Sequence, residues 1–133
     1  MSRVALGIGC DRGTSLDTLA TAVAQALDQV ALSTDAVTAI ATIDRKADEP
    51  AIAALARRHG WALQFYDAAT LAGVDVPNPS ETVRRYMGTP AVAEAAALLA
   101  AENTKAALLV EKHKYRGTDG KNATVAIARR RQA

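Results

Sequence analysis

The sequence predicts an α/β domain, a three-layer α/β/α arrangement whose mixed sheet ends in an antiparallel hairpin. Three observations carry this expectation. Short β-prone runs alternate with segments of helical periodicity through most of the chain. Near the C-terminal end two β-prone runs follow each other directly around a loop rich in Gly, Asp and Asn. Half of the 133 residues are hydrophobic, with no internal repeat and no linker, so residues 1–133 read as one domain with a core of its own.

The elements follow in order. Arg3 to Ile8 is β-prone, and Gly7, Gly9 and Gly13 are expected to break it. Leu16, Leu19, Ala20, Val23, Leu27 and Val30 then recur at helical spacing, with Thr14 and Asp17 forming a capping box. Ala36 to Ile43 is a second strand. Asp48 is placed to cap a second helix, with Pro50 in its first turn, Ile52, Leu55 and Ala56 inside, and His59-Gly60 at its end. Trp61 to Tyr66 is a third strand, followed by a short helical piece near Leu71. Ser80 and Thr89 are further caps, the second before Pro90. Val92 to Ala101 is almost wholly apolar and predicts a helix buried on most sides. Ala106 to Tyr115 and Ala123 to Arg130 are the strands of the closing hairpin.

Composition excludes several classes. No run approaches the ~20 apolar residues that span a bilayer, and the opening Met1 to Cys10 does not read as a signal peptide. One cysteine allows neither an internal disulfide nor a cysteine-rich zinc site, so the reading is cytoplasmic, without a metal or a cofactor. His59 and His113 are isolated and lack ligand spacing. Charge is unevenly spread: Met1 to Glu102 carries 8 Lys/Arg against 12 Asp/Glu, and Asn103 to Ala133 carries 8 against 2. Nucleic acid is not the expected partner, because no helix carries a basic stripe and no aromatics interleave the charges. Arg129, Arg130 and Arg131 read as a solvated tail.

Four stretches carry a family likeness. They are Gly7-Ile8-Gly9-Cys10-Asp11-Arg12-Gly13-Thr14-Ser15, Ala41 through Glu49, Pro77-Asn78-Pro79-Ser80 leading to Gly88-Thr89-Pro90 and Ala96, and Lys112 with the closing Ala123 to Arg129. In this order, over nearly the whole chain, they resemble the CobE family, the same domain that forms the C-terminal part of CbiG. Asp11 departs from the pattern, standing where a basic residue is expected before Arg12. The resemblance implies a role in building the corrin ring. CbiG-type proteins open a lactone on a cobalt-precorrin and release acetaldehyde, and this chain matches only their C-terminal domain. It therefore looks like the stand-alone form, expected to bind a polycarboxylate corrinoid intermediate as an accessory or carrier protein. The alternatives are a precorrin lactone hydrolase and a scaffold for other cobalamin-pathway enzymes.

A polycarboxylate macrocycle needs several anion sites beside apolar surface. Helix N-termini offer them near Gly13-Thr14-Ser15, at Ser80 and at Thr89, with Asp48 a poor one because its own carboxylate fills the cap. Arg12, Lys46, Lys112 and Lys114 add positive charge. Strand alternation puts Lys112 and Lys114 on one face with Leu108 and Val110, and His113 on the other. The expected binding set is therefore Gly9, Cys10, Arg12, Gly13, Thr14, Ser15, Lys46, Asn78, Ser80, Gly88, Thr89, Lys112 and Lys114, around a cleft at the strand ends. The first turn is not a dinucleotide fingerprint, since Gly13 follows Gly9 by four. Cys10 beside a helix N-terminus is expected to have a lowered thiol pKa, but no base partner is recognisable. Glu94, set among alanines, is expected to be buried and to need a cation, with Lys46 and Lys112 the natural choices. It serves either as an ion pair locking helix to sheet or as a site residue. Glu94 and Asp44 are the carboxylates a hydrolase could use.

Overall fold

The computed structural model describes residues 3–77 and 92–131. Five strands form one mixed sheet: β1 (Val4–Cys10), β2 (Val37–Ile43), β3 (Ala62–Tyr66), β4 (Leu108–Arg116) and β5 (Asn122–Arg129). Their spatial order is β3-β2-β1-β5-β4, with β1, β2 and β3 parallel and β5 antiparallel to both β1 and β4. Helix α1 (Leu16–Gln29) links β1 to β2, and α2 (Pro50–His59) links β2 to β3. Both pack on the face formed by Val4, Leu6, Ile8, Ile40, Val125 and Ile127, through Leu19, Val23, Leu27, Ile52 and Leu55. Helices α3 (Ala68–Ala72) and α4 (Val92–Ala101) cover the opposite face. The expected three-layer α/β/α architecture with a closing hairpin is what is found. The hairpin inserts β5 beside β1, so the last strand lies inside the sheet and not at its edge.

The two helical layers stand on chemically different surfaces. Alternation along β1 sends Val4, Leu6 and Ile8 toward α1, and Ala5 and Gly7 toward α4. The α4 side is also lined by Ala39, Ala41, Ala126 and Ala128. Such a face is shallow, and α4, itself built largely of alanine, lies directly on the strand backbone. A methyl group on Gly7 would collide with the carbonyl oxygen of Ala93 and come within 2.7 Å of the amide nitrogen of Ala97. Gly7 therefore does not break β1. The strand runs on through Gly7 and Gly9 to Cys10, and the glycine marks where another backbone approaches.

Local chemistry differs from expectation at both helix starts. Ser15, not Thr14, is the N-cap of α1; its hydroxyl accepts from the Thr18 amide. Thr14 instead donates to the Asp11 carbonyl at 2.6 Å, closing the turn after β1. Asp48 does not cap α2. The N-cap position is Glu49, which makes no side-chain capping bond, and Pro50 follows at the first turn. The far end of α2 is as anticipated: Gly60 adopts φ 71° at the C-cap, and His59 stacks on Trp61 with ring centroids 4.4 Å apart. The caps expected at Ser80 and Thr89 lie outside the described residues. Among the described residues, no helix is long and apolar enough to cross a membrane.

Replacing Gly7 by alanine should destabilise the fold by about 3 kcal/mol, because rigid backbone must move to admit the methyl group. At Gly9 the same substitution meets only the Thr124 Cβ at 3.9 Å, and should cost under about 1 kcal/mol. Urea unfolding of both variants checks this, and equal midpoints would contradict the close contact between α4 and β1.

Candidate functional site

Where β1 and β2 end, the sheet opens into a cavity of about 400 Å³. Its lining comes from five directions: Gly9, Cys10 and Asp11 end β1; Thr42, Ile43 and Lys46 end β2 and its following turn; Val92, Ala93 and Glu94 open α4; Lys112 and Lys114 come from β4; Asn122 and Thr124 open β5. The antiparallel placement of β5 explains the last two, since its first residues lie beside the last residues of β1. The size is that of a small-molecule site.

Lys112 and Lys114 reach this cavity from the face of β4 that Leu108 also occupies, although the strand between them is irregular. Its pairing with β5 shifts register between Leu108 and Val110 and again between Val110 and His113. Val110 therefore packs with α1, while Leu108, Lys112 and Lys114 belong to the α4 side. The expectation that Val110 shares their face fails, because simple alternation does not survive a bulge. His113 points to α1 as expected. There Gln29 Nε2 donates to its Nδ1 at 2.7 Å and its Nε2 donates to Gln25 Oε1 at 2.8 Å, a pattern that suits the neutral imidazole.

Glu94 is fully buried at the start of α4, and Lys112 Nζ lies 3.3 Å from its Oε1. Among the described residues neither carboxylate oxygen has a hydrogen-bond partner. Burial raises the Glu94 pKa, and the Lys112 charge opposes this only in part. Of the two partners expected for Glu94, the structure selects Lys112. Cys10 also titrates above the ordinary thiol range, because burial outweighs the nearby Lys46 charge. The activated thiol expected from a helix N-terminus is absent, since Cys10 is still in β1.

The start of α1 is occupied by the protein's own carboxylates and is no vacant anion site. Both Glu49 oxygens accept from the Gly13 amide, at 3.1 and 3.2 Å. Asp119, in the hairpin loop, accepts from the Ser15 amide at 2.9 Å and from the Lys121 amide at 3.0 Å. Arg12 is held away from the cavity by Asp48 at 2.6 Å, Glu49 at 3.3 Å and the Arg45 carbonyl at 3.1 Å. Asp11, the departure from the family pattern, ties β1 to β5 by accepting from the Asn122 amide and side chain at 2.8 and 3.0 Å. Arg12, Gly13, Thr14 and Ser15 thus form a braced turn outside the cavity, the last three bordering a shallower depression with Glu49 and Pro50. Asp44 is exposed and does not line the cavity. Gly9, Cys10, Lys46, Glu94, Lys112 and Lys114 come together; Asn78, Ser80, Gly88 and Thr89 lie outside the described residues. Among the described residues no cluster of three or more His, Cys, Asp or Glu could hold a metal ion.

The family model for the cobalamin synthesis G C-terminus matches residues 4–128. The chain belongs to this family. It is a cobalamin biosynthesis protein of the CobE and CbiG C-terminal type. Protein CobE of Sinorhizobium sp is 38% identical over 109 residues, covering 80% of this chain and 70% of the relative. A cobalt-precorrin-5A hydrolase of Priestia megaterium is 35% identical over 96 residues, or 72% of this chain, but the match spans only 26% of the hydrolase. A crystal structure of CobE from the cobalamin pathway superposes with a TM-score of 0.80 at 34% identity, covering 96% of this chain and 90% of that one. The cobalamin biosynthesis protein chiG of Agrobacterium tumefaciens gives 0.65 at 27% identity, covering 97% and 99%.

Within this CobE-type fold, the Asp119 contact has a measurable signature. Two backbone amides, Ser15 first, lower its pKa from 3.8 to about 2. A carboxylate depressed in the folded state stabilises it above the unfolded pKa, and this contribution is lost as pH falls from about 4 through about 2. Carbon-detected NMR should give the Asp119 carboxyl a midpoint near 2, with the Ser15 amide shift following the same curve. Asp119→Asn should abolish that dependence. A midpoint near 3.8 would remove the bracing role.

Proposed function

We propose that the cavity binds a polycarboxylate corrinoid intermediate, and that the protein acts as an accessory or carrier for it in cobalamin assembly. The observation that carries this reading is the convergence of Lys46, Lys112 and Lys114, from two separate parts of the sheet, on one pocket with apolar walls at Ile43, Val92 and Ala93. Three ammonium groups beside apolar surface suit an edge of a ring that carries acetate and propionate groups. The helix terminus at α1 is filled by internal carboxylates, so among the described residues the anion recognition falls to these three lysines. Membership of a cobalamin family supports the class of ligand.

A second reading is hydrolysis of a precorrin lactone. It rests on Glu94, a buried carboxylate with a raised pKa inside a cationic cavity, the profile of a general base. The similar Priestia protein is a hydrolase, and this chain spans a quarter of it. Release of acetaldehyde from a lactone-bearing cobalt-precorrin, lost in Glu94→Gln, would establish this reading over the carrier. Docking to other pathway enzymes is the remaining alternative, left standing if neither binding nor turnover is seen.

The lysines are not equivalent as test positions. Lys112→Gln strands Glu94 in the interior without its ion pair, which threatens stability as well as binding. Lys114 is exposed and carries no such risk. The cleaner variant is Lys46→Gln with Lys114→Gln. Titrated with dicyanocobyrinic acid, it should bind more weakly than wild type by about 1–3 kcal/mol per lost contact. Wild-type affinity should also fall between low and high salt. Equal affinities for the two proteins would defeat the lysine clamp.

A further inference from the structure

The Glu94–Lys112 pair is unusual in its surroundings. Glu94 is fully buried, yet among the described residues neither of its oxygens finds a hydrogen-bond partner, and its cation stands at 3.3 Å on the wall of the cavity. A buried carboxylate so poorly satisfied is expensive to keep ionised. Anything that draws Lys112 away makes it more so.

The charged neighbours can be taken element by element. From β4, Lys112 and Lys114 bring positive charge and Glu111 brings negative charge that further favours the protonated form of Glu94. From β1, Cys10 and Asp11 line the same cavity, and beyond β2 so does Lys46. The first residues of β5, Asn122 and Thr124, are uncharged; α3 has no titratable group, and β3 offers only Tyr66 to this layer. Among the described residues Lys112 is thus the cation in direct contact with Glu94, and it is also one that an entering carboxylate would meet.

We propose that Lys112 is shared: a carboxylate of the bound corrinoid takes over its ammonium group, while Glu94 takes a proton from solvent and donates it in a hydrogen bond to the same carboxylate. This rests on the corrinoid-binding reading and adds a subsite to it. No covalent bond changes; one proton moves from water to Glu94 as the ligand enters. The arrangement replaces a poorly satisfied ion pair by a lysine–carboxylate pair and a carboxylic acid–carboxylate hydrogen bond, which gives one of the two Glu94 oxygens a hydrogen-bond partner. It also makes the pocket selective for an acid over its amide, because an amide in the same place would not hold the lysine.

The sign of the coupling follows from proton uptake. Affinity must fall as pH rises above the Glu94 pKa of the free protein, by roughly tenfold per pH unit while one proton is taken up. Isothermal titration of wild-type protein with dicyanocobyrinic acid, repeated in buffers of different ionisation enthalpy, should give about one proton absorbed per ligand bound. Glu94→Gln keeps the shape and supplies an amide N–H in place of the acid proton. It should bind with no proton uptake, with an affinity independent of pH over the same range and at least equal to that of wild type at the alkaline end. Binding by wild type with no proton uptake, and unchanged in Glu94→Gln, would overturn the shared lysine and leave the corrinoid reading intact. The buffer comparison needs only the wild-type protein, so it decides even if the variant folds poorly. Absence of heat with both folded proteins would overturn the two together.

Discussion

The approach of α4 to β1 at Gly7 is the constraint on which the rest depends. A helix resting on strand backbone needs a face without side chains of any size, and the sheet provides one with Ala5, Gly7, Ala39, Ala41, Ala126 and Ala128. The opposite face can then hold the bulky side chains, and Leu6, Ile8, Ile40 and Ile127 are all fully buried beneath α1 and α2. This asymmetry fixes where α4 begins. Its first turn lies over the carboxyl ends of β1 and β2, so Glu94 is carried into the cavity wall by the same packing that buries Ala97 and Leu98. The dry, close contact that stabilises the helix is also what deprives Glu94 of water.

Around this layer, carboxylates do most of the bracing of the first turn. Glu49 and Asp119 occupy the amides at the start of α1, Asp48 holds Arg12, and Asp11 joins β1 to β5. All four connections link segments far apart in the chain, and together they fix one rim of the cavity. They also settle its electrostatics. With the helix terminus and Arg12 satisfied internally, the positive charge facing the cavity belongs, among the described residues, to Lys46, Lys112 and Lys114. A polycarboxylate ligand of the kind proposed would be met by ammonium groups on long, flexible stems, able to follow carboxylates at different positions on a large ring.

Much of the architecture was legible in the residues themselves. Helical spacing defined α1 and α2, the unbroken apolar run Val92 to Ala101 defined α4, and the Gly117 to Asn122 loop defined the hairpin, because local propensity and solvent exposure act over a few residues. The capping residues were displaced by one at each of two helices. There the choice between Thr14 and Ser15, or Asp48 and Glu49, was settled by partners remote in sequence: Asp119 for Ser15 and Arg12 for Asp48. The faces of β4 were misassigned at Val110 because a bulge depends on the pairing partner, which the strand alone does not reveal.

For the site, the sequence by itself determined the inventory: a glycine-rich turn, lysines at strand ends, a lone carboxylate among alanines, and the ordered motifs of the CobE type. Residue chemistry and local periodicity suffice for these. Only the tertiary structure decided which of them meet. It brought β5 in beside β1, so that Asn122 and Thr124 joined the cavity, and it turned Arg12 and the α1 start toward internal carboxylates. It also chose Lys112 over Lys46 for Glu94 and raised the Cys10 thiol pKa where the sequence predicted a lowered one. Each of these outcomes depends on desolvation or on a distance between groups remote in the chain, and neither is a property of any single stretch of residues.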